Sequence, residues 1–221
     1  DNTVNNTDPK DKVLITILNY VLTQWHYEPK EINDSFSENV YDTFLERLDP
    51  TKRYFLQSDI DEFSKYRHDI DDQIKKEDLT FFFLVFERFN QRTDESKTYY
   101  KEILANKFDF STDESFIVDY DKTQYAENQN QLIQNWHKIL KFSTISRLYD
   151  KVNDEEDKFK EDKNYKKKTF EALEIEARET TLTNMNDYFI RLDELNYSDW
   201  FSTYINAISE EFDPHTTYLI L

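Results

Sequence analysis

The sequence predicts an all-α protein, an irregular bundle of about seven helices with one long connection near 107–126. The 221 residues include no glycine, although average usage would supply roughly 15. Neither glycine nor proline occurs between Pro50 and Pro214, so few positions can adopt a positive φ or break a helix. Apolar side chains also recur every three to four residues over most of the chain, which is the helical period.

Two helices are predicted before residue 50. The pair Asp8-Pro9 is typical of a helix start, with aspartate as N-cap and proline at the first helical position. This first helix ends before Pro29, and its apolar stripe consists of Leu14, Ile17, Leu18, Val21, Leu22 and Trp25. The second begins near 34–35 and ends at Asp49-Pro50. Its apolar stripe consists of Phe36, Val40, Tyr41, Phe44, Leu45 and Leu48.

The next stretch predicts a short extended run and two more helices. Residues 54–56 form the extended run, and Ser58 is predicted to cap a third helix with Asp61 at the capping-box position. The inward face of that helix is Ile60, Phe63, Tyr66 or Arg67, Ile70 and Ile74. Asp78 is predicted to cap a fourth helix that ends near Leu104. Its first three turns are apolar nearly all round and should be buried, whereas its later turns are polar and should be solvated.

The second half of the chain predicts a long connection and three helices. Residues 107–126 show no helical period, and 116–118 are predicted to be extended. A fifth helix over 128–152 buries Leu132, Trp136, Ile139, Leu140 and Leu148, and the charged run 154–168 is exposed, either helical or frayed. A sixth helix covers 169–192. Ser198 is predicted to cap a seventh, which Asp213-Pro214 ends and which buries Phe201, Tyr204, Ile205, Ile208 and Phe212.

Composition bounds the organisation and the partners of the chain. No composition shift divides it, so one helical domain over 10–221 is expected after a frayed or disordered segment 1–9. A net charge of −18 disfavours nucleic acid and anionic membranes as partners. No apolar run approaches the roughly 20 residues that cross a bilayer, so no membrane span is predicted. The start lacks both methionine and a signal peptide and resembles a cut end.

Composition also narrows the chemistry. Without glycine, a P-loop, a Rossmann turn or a nucleophile elbow is not expected, and without cysteine a thiol nucleophile or cysteine-based zinc site is excluded. The sequence assigns no cofactor, metal site or catalytic residue. His68 lies beside Asp69, Asp71 and Asp72, but a solvated acidic face is preferred to a metal site. A helical enzyme with two facing carboxylates stays open, because 46 acidic residues make such pairs uninformative.

Two segments stand out, and both are helix ends. Residues 44–63 read FLERLDPTKRYFLQSDIDEF, and residues 210–219 read EEFDPHTTYL. In each, Asp-Pro directly follows a helix and precedes an aromatic-Leu pair. A stop signal with apolar anchoring explains this pattern locally. The residues that form the two motifs are Leu48, Asp49, Pro50, Tyr54, Phe55, Leu56, Ser58, Phe212, Asp213, Pro214, His215, Thr216, Tyr218 and Leu219.

In this order and at this separation, the two segments resemble the N-terminal helical region of the tail-specific, or carboxy-terminal processing, proteases of bacteria. The resemblance covers about 10–220, although 105–170 cannot be matched residue by residue. In that family a PDZ domain and a Ser–Lys protease core follow the helical region. The chain stops at Leu221, where the PDZ domain should begin. The resemblance therefore implies that the catalytic serine and lysine lie outside this chain.

The resemblance implies a periplasmic enzyme that cleaves proteins selected by apolar C-terminal tails. This chain would be its non-catalytic scaffold, which limits substrate access and docks an adaptor protein or a second protomer. Its partners would then be its own PDZ and protease domains and protein substrates, with an apolar surface near 116–118 or 212–221. The alternative is a self-contained helical interaction or adaptor protein, against which the apolar ending 218–221 argues.

Overall fold

The computed structural model describes residues 12–13, 15–16, 32–112, 114–115 and 122–212, and of Phe212 the backbone only. The seven α-helices within these residues confirm the predicted all-α class. They are α1 (Asp34–Leu48), α2 (Gln57–Phe63), α3 (Ile70–Lys75), α4 (Thr80–Leu104), α5 (Gln129–Glu161), α6 (Phe170–Glu194) and α7 (Tyr197–Phe212). A short 3-10 turn, Ser64–Tyr66, follows α2. The predicted first helix is described only at 12–13 and 15–16, which are helical.

The chain divides into two compact units that interleave along the sequence. Unit 1 comprises Asp1–Pro50, Ser58–Asn90 and Asn196–Leu221, and unit 2 comprises Thr51–Gln57 and Gln91–Leu195. Helix α4 therefore contributes its first half to unit 1 and its second half to unit 2. No single cut of the sequence separates the two units. The expectation of one domain over 10–221 stays a prediction.

Aromatic rings form the core of unit 1. Phe44 of α1 packs against Phe81 and Phe82 of α4 at ring-centroid distances of 6.1 Å and against Tyr204 of α7 at 5.0 Å. Phe82 also contacts Phe201 at 5.3 Å. All five side chains are buried. A buried Phe stabilises a fold by about 1.5–3 kcal/mol relative to an exposed one, so a few rings give this chain of modest apolar content a stable core.

Unit 2 is built around α5 and α6. Trp136 of α5 is fully buried and stacks on Phe189 of α6 at 6.3 Å, and Phe189 stacks on Tyr100 at 5.0 Å. A second cluster consists of Leu148, Leu173 and Ala177, with Phe110 and Val152 packed against it. Between these clusters, Thr144 Oγ1 donates to Thr181 Oγ1 at 3.1 Å, which satisfies two buried hydroxyls.

Several helix boundaries follow the sequence as predicted. Helix α1 begins at Asp34 because the Asn33 side chain accepts the Phe36 N–H, and it ends at Leu48, directly before Asp49-Pro50. The stripe predicted for this helix is buried along its whole length. Asp78 accepts the Thr80 N–H at the start of α4, and Thr169 caps α6 by accepting the Ala172 N–H. Each of these caps satisfies one backbone donor of a first helical turn.

The predicted N-caps Ser58 and Ser198 are wrong, since both residues lie inside their helices. Helix α2 begins at Gln57, one residue before Ser58, and the Gln57 N–H donates to the Ala126 carbonyl at 2.9 Å. At α7 the Asn196 side chain accepts the Ser198 N–H at 2.8 Å. In both cases a different acceptor satisfies an early N–H, so the serine hydroxyl is not needed as a cap.

The continuous third helix predicted from 58 to 74 is also wrong. It is interrupted after Phe63 by the 3-10 turn, and α3 resumes only at Ile70. The Ser64 hydroxyl donates to the Asp61 carbonyl at 2.8 Å, and such local side-chain bonds compete with the helical backbone pattern. Phe63, Ile70 and Ile74 are nonetheless buried. The apolar period therefore predicted that these residues face inward, but it did not predict that the helix is interrupted.

Two stretches of charged or polar turns are only partly as predicted. The run 154–168, predicted to be exposed and either helical or frayed, is helical up to Glu161, nine residues beyond the predicted helix end at 152, and it is exposed except at buried Glu155 and half-buried Phe159 and Tyr165. Its charged turns carry helix-spaced ion pairs, Glu155 with Lys158 at 3.2 Å and Asp157 with Lys160 at 2.7 Å, which favour helix. In α4 the polar turns are not fully solvated, because Thr93 and Ser96 are buried. The Ser96 hydroxyl donates to the Arg92 carbonyl, so it is buried without losing its hydrogen bond.

A carboxylate organises the turn between α5 and α6. Glu155 is buried and accepts hydrogen bonds from the Lys168 N–H at 2.8 Å and from Tyr165 Oη at 2.9 and 3.0 Å. The Lys168 N–H is the main cause that lowers the pKa of Glu155. This turn therefore closes around a side-chain acceptor, in a chain without glycine.

Two described residues, Lys52 and Glu77, adopt a positive φ. Glu77 has a φ of 56° just after α3, where its N–H donates to Ile74 O and the Asp78 N–H donates to Gln73 O at 2.8 Å. This is the pattern of a helix end that favours glycine. A residue with a Cβ costs about 1–2 kcal/mol in this region.

Glu77→Gly is therefore expected to raise the free energy of unfolding by roughly 0.5–1 kcal/mol, after the larger chain entropy of unfolded glycine is subtracted. Urea unfolding monitored by circular dichroism measures it. Glu77→Ala is the matched control, because it removes the same charge and keeps the Cβ. Equal stabilisation by alanine would refute the backbone explanation.

Candidate functional site

Within unit 1 the structure brings together the two helices that carry the motifs. The Arg47 guanidinium donates to the Glu210 carboxylate, and Asn39 Nδ2 donates to Glu211 Oε1 at 3.0 Å. Arg47 directly precedes the motif of 48–50, and Glu210 and Glu211 directly precede the motif that begins at Phe212. Segments more than 150 residues apart in sequence therefore meet at one place in the fold.

The first motif begins at the end of α1. Leu48 and Asp49 are buried, whereas Pro50 is exposed in the turn that follows. The Asp49 N–H donates to the Leu45 carbonyl at 2.9 Å and closes the last turn of the helix. The second motif is described only at Phe212, the last residue of α7. The other motif residues, Asp213, Pro214, His215, Thr216, Tyr218 and Leu219, lie outside the described residues, as do the apolar positions 116–118.

Tyr54, Phe55 and Leu56 belong to unit 2 and are buried there. Tyr54 Oη lies 2.8 Å from Tyr188 Oη. Leu56 forms an isolated parallel β-bridge with Ala126, so part of the predicted extended run is confirmed. Through this bridge, residues 54–56 hold the C-terminal end of the long connection within unit 2.

Arg53 completes this arrangement and was not predicted. Its guanidinium lies 4.6 Å from the ring centroid of Tyr188 and 5.5 Å from that of Trp136, within cation–π distance. Trp136 Nε1 donates to the Arg53 carbonyl at 2.9 Å. An arginine next to a Tyr-Phe-Leu run in a chain rich in Phe and Tyr was the available signal, but the ring partners are more than 80 residues away.

Lys52 fastens the same connection. It has a φ of 50°, its Nζ donates to the Thr123 carbonyl at 2.6 Å, and it lies 5.5 Å from the Tyr125 ring centroid. At the other end of the connection, buried Lys141 donates to Thr112 Oγ1 at 2.9 Å and to Glu114 Oε1 at 3.0 Å. The Lys141 ammonium is the main cause that lowers the pKa of Glu114. The long connection is thus held at both ends.

Ser58 is exposed on α2, but its neighbour Asp59 is fully buried in unit 1. The Arg88 guanidinium of α4 donates to both Asp59 and Glu62, the second at 2.8 Å. This ion pair was not predicted. Its signal was a lone arginine in the apolar start of α4, because a charge on a helix buried on most sides requires an opposite charge.

The acidic run after His68 is the predicted solvated face at Asp69 and Asp72, which are exposed, but not at Asp71. Asp71 is buried and accepts from Ser37 Oγ at 2.9 Å and from Lys75 Nζ at 2.6 Å. His68 Nδ1 lies 3.4 Å from Glu38 on the surface. Among the described residues, no group of three His, Asp or Glu side chains could hold a metal ion.

A polar groove of about 340 Å³ lies between α5 and α6. Its lining residues are Lys151, Glu176, Glu179, Thr180, Thr183 and Asn184. Glu176 accepts from Lys168 Nζ at 2.5 Å, which is the main cause that lowers its pKa, with Lys151 as a further cause. A general acid needs a raised pKa, so Glu176 does not have the property that this one role would require.

Comparison with known proteins gives a specific match. The family model described as "Tail specific protease N-terminal domain" matches residues 18–220, a range that contains both motifs. A curated tail-specific protease from Haemophilus influenzae (strain ATCC 51907 / DSM 11121 / KW20 / Rd) is 30% identical over 199 residues. The match covers 90% of this chain and 26% of that relative, so the chain spans about a quarter of the relative's length. Among the described residues, no helix has the length and apolarity needed to cross a membrane.

Proposed function

Because the chain belongs to the family of tail-specific protease N-terminal domains, we propose that it is the non-catalytic helical scaffold of a serine protease that processes proteins from their C-terminal tails. The observation that carries this proposal is the family match over 18–220. The larger size of the Haemophilus relative leaves room for a catalytic part beyond the matched region. A PDZ domain and a Ser–Lys dyad in that part belong to the proposal, as does a periplasmic location.

The described motif residues support a structural role. Leu48, Asp49 and residues 54–56 are buried in their units, where they cannot contact a protein substrate. Their contacts hold helix ends and the long connection in place. The buried motif residues thus have positioning roles. Limiting substrate access or docking an adaptor protein is the function that we propose for the scaffold they stabilise.

The proposal is tested on the gene and on its product. We expect the reading frame to continue past Leu221 into glycine-containing sequence with a Ser–Lys pair. The full product should cleave an unstructured protein that ends in an apolar tail and should spare the same protein with a charged tail. The 221-residue chain alone should cleave neither. A reading frame that ends at Leu221 would support the self-contained interaction protein, and cleavage by the chain alone would refute a non-catalytic role.

A further inference from the structure

Helix α5 carries a second apolar face, distinct from the one in the core of unit 2. Its core face includes Leu132, Trp136, Leu140 and Leu148. On the outward face, Phe142 is 50% exposed, Ile145 41% and Tyr149 66%. Most of the surface helices of a folded chain have one apolar stripe and one polar face, so a second stripe on the same helix needs its own explanation.

The outward face has the spacing of a coiled-coil seam. We call it the α5 seam and define it as Lys138, Phe142, Ile145, Tyr149, Val152 and Glu156. The intervals are four, three, four, three and four residues, which is the heptad pattern of positions that interlock with a partner helix. Val152 is half-buried against the Leu148 cluster, and the two charged ends are exposed.

We propose that the α5 seam binds a second copy of this chain, with the two α5 helices antiparallel about a twofold axis at Arg147. In this register Lys138 faces Glu156 of the second copy at both ends. Phe142 faces Val152, and Ile145 faces Tyr149. Each contact occurs twice, as a twofold interface requires, and every apolar residue of the seam faces an apolar residue.

The charges at the ends of the seam select this occupant and this direction. A parallel pair would bring Lys138 against Lys138 and Glu156 against Glu156, which is unfavourable. The antiparallel pair replaces both repulsions with attractions. Glu156 Oε1 already accepts from Lys167 Nζ at 2.5 Å, and a carboxylate accepts further donors. This inference concerns the surface of unit 2 and does not depend on the proposed protease function.

Sedimentation analysis of the 221-residue chain over a concentration series tests the seam. We expect the wild type to form dimers and Ile145→Glu to remain monomeric. Ile190→Glu is the control, because Ile190 is an isoleucine on α6 that is more exposed than Ile145, and it should dimerise like the wild type. A wild type that stays monomeric at its highest soluble concentration, or a dimeric Ile145→Glu, would overturn the proposal.

An exchange of charges tests the register and gives a positive signal only from folded proteins. Lys138→Glu alone and Glu156→Lys alone should each fail to self-associate, because each places like charges at both ends of the seam. An equimolar mixture of the two variants should form a heterodimer, in which both ends again pair Glu with Lys. If the mixture does not associate, or if either variant dimerises as the wild type does, the antiparallel register is wrong.

Discussion

Replacing Arg88 by methionine is expected to lower the free energy of unfolding by about 3–5 kcal/mol. Asp59 is fully buried, and Arg88 is the cation that donates to it. Methionine keeps much of the packing volume of the arginine stem but leaves a carboxylate in the core without that cation. Equilibrium denaturation in urea, monitored by circular dichroism at 222 nm (a helix band), measures the loss.

Arg67→Met is the matched control within the same unit. Both terminal nitrogens of Arg67 donate hydrogen bonds to Asp42, at 2.9 and 2.7 Å. This pair lies at the surface, where the two side chains are 36% and 56% exposed. Its loss should cost about 0–1 kcal/mol. If the two arginine variants had equal free energies of unfolding, burial of the Arg88–Asp59 pair would not explain the effect of Arg88→Met. Adding Asp59→Leu to Arg88→Met should recover part of the loss, since the buried charge is then gone.

Replacing Trp136 by alanine is expected to destabilise unit 2 by about 3–5 kcal/mol. The indole is fully buried, packs on Phe189 and donates to the Arg53 carbonyl at 2.9 Å. Its loss opens a cavity beside residues 54–56. Hydrogen exchange should therefore show reduced protection of the amides of α5 and α6, and urea denaturation should show a lower midpoint.

Trp136→Phe separates packing from hydrogen bonding. Phenylalanine keeps an aromatic ring against Phe189 but cannot donate to the Arg53 carbonyl. A loss of about 1–3 kcal/mol is expected for the unmade hydrogen bond, together with a small cavity term. An alanine variant that denatures at the wild-type urea concentration would contradict the central position of Trp136 in unit 2.

Local periodicity was sufficient to predict α1, α4 and α6. In α1 the apolar stripe, the Asp49-Pro50 stop and a polar start all agree, and agreement between levels favours one structure. At the start of α2 the prediction failed because a distant group satisfies the backbone. The Ala126 carbonyl meets the Gln57 N–H at the start of α2, and nothing near Ser58 in the sequence reveals that contact.

The polar pairs were harder to predict than the helices. Asp59 and Asp71 are two of 46 acidic residues, and their partners Arg88 and Ser37 lie 29 and 34 positions away. Helical spacing says which residues share a face but not which carboxylate a neighbouring helix will bury. A lone arginine in an apolar run, such as Arg88, is a signal that an acidic side chain lies opposite it, but not of which one. The left-handed Lys52 had no such signal, because no glycine or asparagine marks its position.

The interleaving of the units has a consequence for the order in which the chain is made. Synthesis proceeds from the N-terminus, and compact units begin to fold as they emerge. Unit 2 is complete once Leu195 has been added, although unit 1 contains the earlier helix α1. Phe44 can form its ring contact with Tyr204 of α7 only after that helix has been synthesised. On the ribosome, unit 2 should therefore reach its native packing before unit 1, and the aromatic face of α1 stays incomplete until α7 appears.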